Sequence, residues 1–123
     1  MKFQLQFVLL SASLAFTVTT QEVSAKAPPS TPARLEAGKA LYIKNCQACH
    51  GDKGDGAGPA GKMMKPKPRD FKTATFVNGD KPEDIMKTIA NGIPGTAMAP
   101  FKALTEDERA SLSYYVLQLK TGK

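Results

Sequence analysis

The amino-acid sequence predicts a small all-α domain with three or more helices. Three segments of the 123-residue chain space their apolar residues three and four positions apart, and each begins at a residue that favours a helix start. No stretch alternates apolar and polar residues as a half-buried strand does, and no internal repeat is present. A glycine-rich stretch over residues 51–61 follows the first predicted helix and is expected to form a loop.

The first predicted helix begins with Thr31 as its N-cap and Pro32 in its first turn. It continues into the segment of residues 46–50. One of its faces carries two leucines, a tyrosine and a glycine, which are Leu35, Leu41, Tyr42 and Gly38. Because glycine lacks a side chain, we expect a second helix to approach this face closely.

The second and third predicted helices both begin with capping-box signatures. Asp80 with Glu83 starts the second helix, which ends at residues 91–92, and Thr105 with Glu108 starts the third. The apolar faces of the two helices are expected to be buried. Their residues are Ile85, Met86 and Ile89 in the second helix, and Leu112, Tyr115, Val116 and Leu119 in the third.

A short motif at residues 46–50 carries the strongest chemical signal in the sequence. It reads Cys46-Gln47-Ala48-Cys49-His50 and has the pattern of a c-type haem attachment site. The two cysteines lie about one helical turn apart, so both thiols can reach the two vinyl groups along one porphyrin edge. His50 then lies where an imidazole nitrogen can bind the iron. The sequence therefore predicts one covalently bound haem c with the helices wrapped around it.

Other uses of a Cys-x-x-Cys pair fit this chain poorly. Cys46 and Cys49 are its only cysteines and His50 is its only histidine, so a four-ligand zinc site lacks a ligand. A thioredoxin-like redox pair expects a βαβ context, which the sequence does not show. A Cys46–Cys49 disulfide would close a loop too short to constrain the fold. A domain of this size also has a marginal core, which a large apolar cofactor would reinforce.

The N-terminal residues have the pattern of a secretory signal peptide. Lys2 provides a positive start, residues 7–18 are largely apolar, and Val23-Ser24-Ala25 is a small-residue cleavage site. An uncleaved membrane anchor is the alternative interpretation. It is less favoured because several polar residues interrupt the uncharged stretch of residues 3–21.

These signals divide the chain into three parts. We predict a signal peptide over residues 1–25, a flexible Pro-rich leader over residues 26–31 and one domain over residues 32–123, with no stable membrane insertion after cleavage. Cleavage removes one basic and one acidic residue, so the mature chain keeps the net charge of +6. This charge does not indicate a nucleic-acid partner, because the chain has neither a basic amphipathic helix nor an aromatic platform.

The domain resembles a class I cytochrome c, and in particular the compact monohaem bacterial branch of that family. The resemblance covers residues 34–119. It rests on the motif at residues 46–50, the glycine-rich stretch that follows it, the sequence Pro68-Arg69-Asp70-Phe71, and the loop Gly95-Thr96-Ala97-Met98-Ala99-Pro100-Phe101. This branch includes small soluble carriers and the cytochrome domains of some haem–copper oxidases.

The resemblance implies several contacts around the haem. A C-terminal helix is expected to cross the first helix over a glycine–aromatic contact, with Gly38 and Tyr42 on one side and Tyr114 or Tyr115 on the other. The carbonyl of Pro59 is expected to accept the second N–H of the ligating histidine, which would fix the ring. Arg69 is a candidate partner of a haem propionate. A solvated arginine, or a local pair with the neighbouring aspartate Asp70, is the alternative.

Methionine is the predicted second axial ligand, because the single histidine is already used. Met98 lies in the segment that matches the methionine loop of the family, and its Gly- and Pro-flanked backbone can carry a thioether across the ring. Met63 and Met64, close after the glycine-rich loop, are the alternatives. Met86 has the spacing of a core residue and is assigned to packing.

Histidine–methionine ligation fills both axial positions and favours electron transfer over bond-making. We therefore expect a periplasmic, soluble electron carrier, not an enzyme, that cycles between Fe(II) and Fe(III) and exchanges electrons with a donor and an acceptor protein. One alternative is a haem enzyme or gas-binding sensor in which Met98 does not bind and the distal site is open. Another is a cytochrome subunit of a larger oxidoreductase.

Basic residues are concentrated in the segments expected to surround the haem edge. From residue 44 to residue 72 there are seven basic and three acidic residues, a balance of +4, and Lys102 extends this basic segment. Its basic residues are Lys44, Lys53, Lys62, Lys65, Lys67, Arg69 and Lys72. We expect the basic segment to guide the protein to an acidic docking face, whereas replacements of Lys120 or Lys123 should have little effect. A scattered, solvated set of lysines is the alternative.

Overall fold

Four α-helices and one 3-10 turn make up the regular structure of residues 26–123, the part of the chain that the computed structural model describes. The helices are α1 (Pro32–Asn45), α2 (Gln47–His50), α3 (Pro82–Asn91) and α4 (Glu106–Thr121), and the 3-10 turn spans Gly61–Met63. No strand is formed within these residues, which confirms the all-α prediction. The predicted signal peptide lies outside the described residues.

The main helix contact is the crossing of α1 over α4. Gly38 of α1 lies against the backbone carbonyl of Ser111 in α4, and a Cβ atom at position 38 would collide with it. The rings of Tyr42 and Tyr115 pack beside this point with their centroids 5.3 Å apart. The close approach predicted for Gly38 is therefore present, and Tyr115 is the aromatic residue on the α4 side.

Two of the three predicted helix starts follow the expected side-chain hydrogen bonds. The hydroxyl of Thr31 accepts a hydrogen bond from the Arg34 amide (3.2 Å), and that of Thr105 accepts one from the Glu108 amide (3.2 Å). The carboxylate of Glu108 accepts the Thr105 amide in return (2.7 Å), which completes the capping box. These bonds satisfy amide groups that have no partner inside the helix.

Helix α3 begins one residue later than the sequence predicted. Lys81, not Asp80, is its N-cap residue, and the carboxylate of Asp84 accepts the Lys81 amide (3.3 Å) in the role predicted for Glu83. Pro82 explains the shift, because its fixed φ and missing N–H suit the first helical position. The buried residues of the helix are those predicted, namely Ile85, Met86 and Ile89.

Part of the leader predicted to be flexible is packed onto the helices. Ala27 is buried in a cluster with Met86 of α3 and Ala110 of α4. The hydroxyl of Tyr114 donates a hydrogen bond to the carbonyl of Pro28 (2.8 Å). The structure thus differs from the prediction at the start of residues 26–31, because a small apolar side chain fits between α3 and α4.

The core lies between α1, α3, α4 and the segment that follows the glycine-rich loop. Its largest cluster consists of six buried residues, Tyr42, Phe71, Ile85, Ile89, Leu112 and Val116. All six also line the cavity described below. Among residues 26–123, no helix is long and apolar enough to cross a membrane.

Candidate haem site

A cavity of about 440 Å³ lies in the centre of the domain, and its wall is mostly apolar. All four helices contribute residues to it. The segments of residues 64–77 and 93–101 complete the wall. Five of the predicted site residues line this cavity, namely Cys46, Cys49, His50, Arg69 and Met98. Pro59 does not line it.

A single non-helical residue, Cys46, separates α1 from α2, and the turn that follows brings the motif residues to the cavity. Helix α1 ends at Asn45, and the amide of Cys46 donates to the carbonyl of Tyr42 (2.8 Å). The carbonyl of Cys46 then accepts the amides of Cys49 (3.1 Å) and His50 (2.9 Å). Because these bonds close a single turn, both cysteines and the histidine face the same space.

The two cysteines are free thiols and both are half-buried. Burial raises the pKa of the Cys46 thiol to about 11, and the neighbouring Cys49 adds to this shift. The Cys46 side chain is therefore a neutral thiol at physiological pH. Neither sulfur is used by a disulfide, so both remain for covalent attachment.

His50 lies deep in the site, with its ring stacked on that of Phe71 at a centroid distance of 4.8 Å. Burial lowers the pKa of the imidazole, and the backbone of Arg69 opposes this shift only in part. The ring is therefore neutral at pH 7, which is the form that binds a metal ion.

The predicted hydrogen bond from His50 to Pro59 is not present in the structure. Nδ1 of His50 is buried and has no hydrogen-bond partner among the described residues. The loop around Pro59 is instead attached to α2 through its backbone, where the Ala60 amide donates to the carbonyl of Ala48 (2.9 Å). Pro59 is exposed and its neighbours fix the loop, so the carbonyl contact implied by the resemblance is not formed here.

Two methionines reach the cavity. Met98 lies in the loop of residues 93–101, and its amide and carbonyl are bound by Thr96 Oγ1 (3.1 Å) and the Ile93 amide (3.0 Å). Met64 also lines the wall. Met63 is 88 % exposed and does not. Of the two alternatives to Met98, the structure leaves only Met64.

Arg69 lies at the rim of the cavity and its side chain is exposed. Its guanidinium donates a hydrogen bond to the carbonyl of Thr75 (2.8 Å). The local pair with Asp70 is not formed, and the Asp70 carboxylate accepts the Lys72 amide instead (2.9 Å). The guanidinium has further N–H groups, so the propionate contact stays a prediction.

Sequence reasoning missed the aromatic side of the site. Phe71 packs against His50 and lies edge-on to Phe76, with centroids 5.6 Å apart. Gly54, at a φ of +70°, passes directly beneath the Phe71 ring, where a side chain would collide with it. The amide of Phe71 donates to the Gly54 carbonyl (2.8 Å). The abundance of glycine in the loop was the available signal that another group packs closely on it.

These observations fit a covalently bound haem. Two free thiols and a neutral imidazole with a buried, unpartnered nitrogen meet in one apolar cavity. A thioether side chain, that of Met98, reaches the same cavity from a separate loop. Cys46 and Cys49 would hold the group covalently, and His50 would bind its iron.

The sequence is also similar to known proteins that are cytochromes c or subunits named as part of a cytochrome c oxidase. The Cytochrome c family model matches residues 35–120. The chain is 33% identical to the CcoP subunit of a cbb3-type cytochrome c oxidase from Azospirillum sp. (strain B510), over 86% of this chain and 36% of that protein. CcoP of Azospirillum brasilense is 34% identical, over 74% of this chain and 30% of that protein. The chain therefore spans about a third of the length of these relatives.

Other relatives include a shorter cytochrome and two solved structures. Cytochrome c55X of Paracoccus denitrificans (strain Pd 1222) is 31% identical, over 89% of this chain and 98% of that protein. A chain of the reducing HAO-like protein complex of Kuenenia stuttgartiensis has a TM-score of 0.71 and 34% identity, covering 78% of this chain and 48% of that one. The c-type cytochrome KustC0563 has a TM-score of 0.51 and 31% identity. The match covers 68% of this chain and 96% of that one.

These matches agree with the geometry of the site. The family match covers α3, most of α1 and α4, and both loop segments of the cavity wall, and it confirms the resemblance to a class I c-type cytochrome. Membership also implies a covalently bound haem c, for which both thiols face the cavity. The chain belongs to the cytochrome c family.

Proposed function

We propose that this protein is a soluble periplasmic carrier that moves single electrons between redox proteins, with His50 and Met98 as the axial ligands of one covalently bound haem c. The observation that supports this most directly is the meeting of Cys46, Cys49, His50 and Met98 on one apolar cavity. When bound, haem c supplies a one-electron Fe(III)/Fe(II) couple. Two protein ligands would leave no axial position for a substrate.

The residues of the motif explain how the group would be held. The hydrogen bonds of the turn at Cys46–His50 fix the backbone from which the two thiols and the imidazole project. The neutral ring of His50 has a lone pair to donate. For the second proposed ligand, Thr96 and Ile93 restrain the backbone of Met98, whose side chain lines the cavity.

Apolar side chains around the cavity would keep water away from the site. Ile85 and Ile89 of α3 and Leu112 and Val116 of α4 are all at least nine-tenths buried and line the wall. Because water stabilises the more highly charged oxidised iron, a dry wall favours the reduced state. Together with a methionine ligand, this supports a comparatively high reduction potential.

Exposed basic residues at the rim of the site and in the segments next to it support an acidic partner. Lys67 and Arg69 lie on the rim of the cavity itself. All residues of the basic segment are exposed, namely Lys44, Lys53, Lys62, Lys65, Lys67, Arg69 and Lys72. A positive rim would attract and orient an acidic docking face of a redox protein.

A second candidate is a cytochrome subunit of a larger oxidoreductase. It is favoured by the similarity to an oxidase subunit and to a chain of a multi-protein complex. Size-exclusion chromatography of the native holoprotein at high salt separates the two, because a subunit would elute with its partners and a carrier by itself.

Replacing each cavity methionine tests the ligand assignment. Met98→Ala should keep the covalently bound haem but lose the sulfur-to-iron charge-transfer band, bind carbon monoxide and lower the reduction potential. Met64→Ala is the matched control, because it removes the other thioether from the same wall, and it should keep the band.

The reverse result would assign Met64 as the ligand. If the wild-type protein already has high-spin iron and binds carbon monoxide rapidly, the carrier proposal is wrong. The open-site haem enzyme or gas-binding sensor is then the better interpretation. Cell fractionation tests the location, since the proposal expects the mature holoprotein in the periplasmic fraction.

A further inference from the structure

We propose that Lys120 is a positioning residue for His50, although it lies in the last turn of α4 and outside every motif of the sequence. It would act through the segment of residues 71–77, which forms one wall of the cavity. This inference rests on the proposed function, because it assumes that His50 binds the haem iron.

The ammonium group of Lys120 is held by this wall from several sides. Its Nζ donates hydrogen bonds to the carbonyls of Phe71 (3.1 Å) and Ala74 (2.9 Å) and lies 4.4 Å from the centroid of the Phe76 ring. The Asp80 carboxylate is 3.7 Å away, and the Lys120 side chain is only 19 % exposed. An ammonium with this many partners fixes a segment of backbone that has no regular structure of its own.

The segment held by Lys120 carries the side chain that contacts His50. The Phe71 ring stacks on the imidazole, at 4.8 Å between centroids and 30° between planes. The carbonyl of Phe71 is bound by Lys120 and its amide by the Gly54 carbonyl (2.8 Å), so both sides of this residue are anchored. Phe76, under the same ammonium group, packs edge-on against the Phe71 ring.

The Phe71 ring is one of the contacts that set the orientation of the imidazole. A ligating histidine is normally oriented by a hydrogen bond from its second nitrogen. At His50 the backbone of Arg69 acts on the ring and raises its pKa against the lowering by burial, and Phe71 stacks on its face. The stacked Phe71 ring therefore limits rotation of the imidazole together with the Arg69 backbone, and Lys120 limits the movement of Phe71.

The Lys120→Met holoprotein tests this role, since methionine keeps most of the apolar stem but removes the donors and the charge. We expect the haem to stay attached and the His–Met absorption spectrum to persist. The paramagnetically shifted NMR signals of the His50 ring in the oxidised protein should move, and the reduction potential should fall. Both changes should remain at high salt, and Lys120→Arg should restore them because it can donate to the same carbonyls.

Lys123→Met is the control for charge alone, since it removes the same charge from an exposed residue three positions later. It should leave the His50 ring signals unchanged. If the two variants have the same ring signals and potential, or if the effects of Lys120→Met vanish at high salt, Lys120 contributes only its charge and the proposal is wrong.

A measurement on the wild-type protein does not depend on any variant folding. The ammonium protons of Lys120 should exchange slowly enough to give their own NMR signal, because they are buried and hydrogen-bonded. Rapid exchange would contradict the proposal. If the wild-type spectrum lacks the signals of an iron-bound imidazole altogether, the proposed function fails, and not the contact between Lys120 and the wall.

Discussion

The crossing of α1 and α4 and the loop-built wall of the cavity are held together by different kinds of contact. At the crossing, Gly38 meets the Ser111 backbone and two tyrosine rings pack beside it. The wall, formed by residues 64–77 and 93–101, has no long helix of its own and depends on single hydrogen bonds, stacked rings and one lysine.

This difference shows which parts of the molecule are specified locally. Each helix of the crossing begins at a threonine cap within its own sequence, so its position in the chain does not depend on its neighbours. The wall segments are fixed by residues distant in sequence, such as Lys120 for residues 71–74. We therefore expect the wall to depend on the bound haem and the crossing to depend on packing.

The largest effect is expected when the attachment residues are removed. The double variant Cys46→Ser and Cys49→Ser should lose haem on denaturing gel electrophoresis, and the haem-free chain should be largely unfolded because so small a core depends on its cofactor. Haem staining and circular dichroism measure the two effects. Ala48→Ser is the control within the same turn, since Ala48 is exposed, and it should retain haem.

Haem that stays on the doubly substituted chain after denaturation would contradict the attachment sites. A haem-free chain that still folds would show that the wall does not depend on the haem more than the α1–α4 crossing does. Hydrogen exchange on such a chain would show whether the wall loses protection before the α1–α4 crossing does.

An intermediate effect is expected from Gly38→Ala at the crossing. The added methyl group would collide with the Ser111 carbonyl, so α1 and α4 must separate slightly. We expect a loss of about 1–3 kcal/mol in the free energy of unfolding, measured by denaturant titration of the holoprotein. The absorption spectrum of the haem should change little, because Gly38 does not line the cavity.

Lys39→Ala is the matched control on the same helix, since Lys39 is exposed, and it should change the free energy of unfolding by less than about 0.5 kcal/mol. Alanine is a better helix former than glycine. A Gly38→Ala variant that is more stable than the wild type would therefore mean that the crossing is loosely packed. The higher helix propensity of alanine would then outweigh the contact with Ser111.

The smallest effect is expected from the exposed charges around the wall. Lys65→Glu and Lys67→Glu should slow electron transfer to an acidic partner at low salt, and the difference should shrink when salt shortens the screening length to about 8 Å. Stopped-flow measurement over a salt series detects this change. Lys123→Glu should have little effect, and equal rates for all variants at every salt concentration would show that docking is apolar.

Lys120 is not a suitable second control, although the sequence suggested that it would be. Its position near the C-terminus places it far along the chain from the basic segment. In the structure it binds the carbonyls of Phe71 and Ala74 at the cavity wall. Lys120→Glu would therefore disturb the wall itself, because a carboxylate cannot donate to either carbonyl.

The accuracy of the sequence-based expectations follows the same division between the two regions. The starts at Thr31 and Thr105 and the buried face of α3 were predicted correctly, because caps and apolar spacing are local properties. The start of α3 was displaced by one residue, since Pro82 takes the first helical position and makes Lys81 the N-cap. The packing of Ala27 was missed, because no local pattern distinguishes a packed leader from a flexible one.

The amino-acid sequence was sufficient to predict the three long helices, the Cys-x-x-Cys-His motif and the resemblance to the cytochrome c family. Spacing of three and four residues and a five-residue motif act over one or two turns, so they are readable without a fold. Only the tertiary structure decided which methionines reach the cavity, that His50 stacks on Phe71, and that Lys120 secures the wall. These contacts join residues that are distant in sequence, and their distances are set by how the helices and loops pack together.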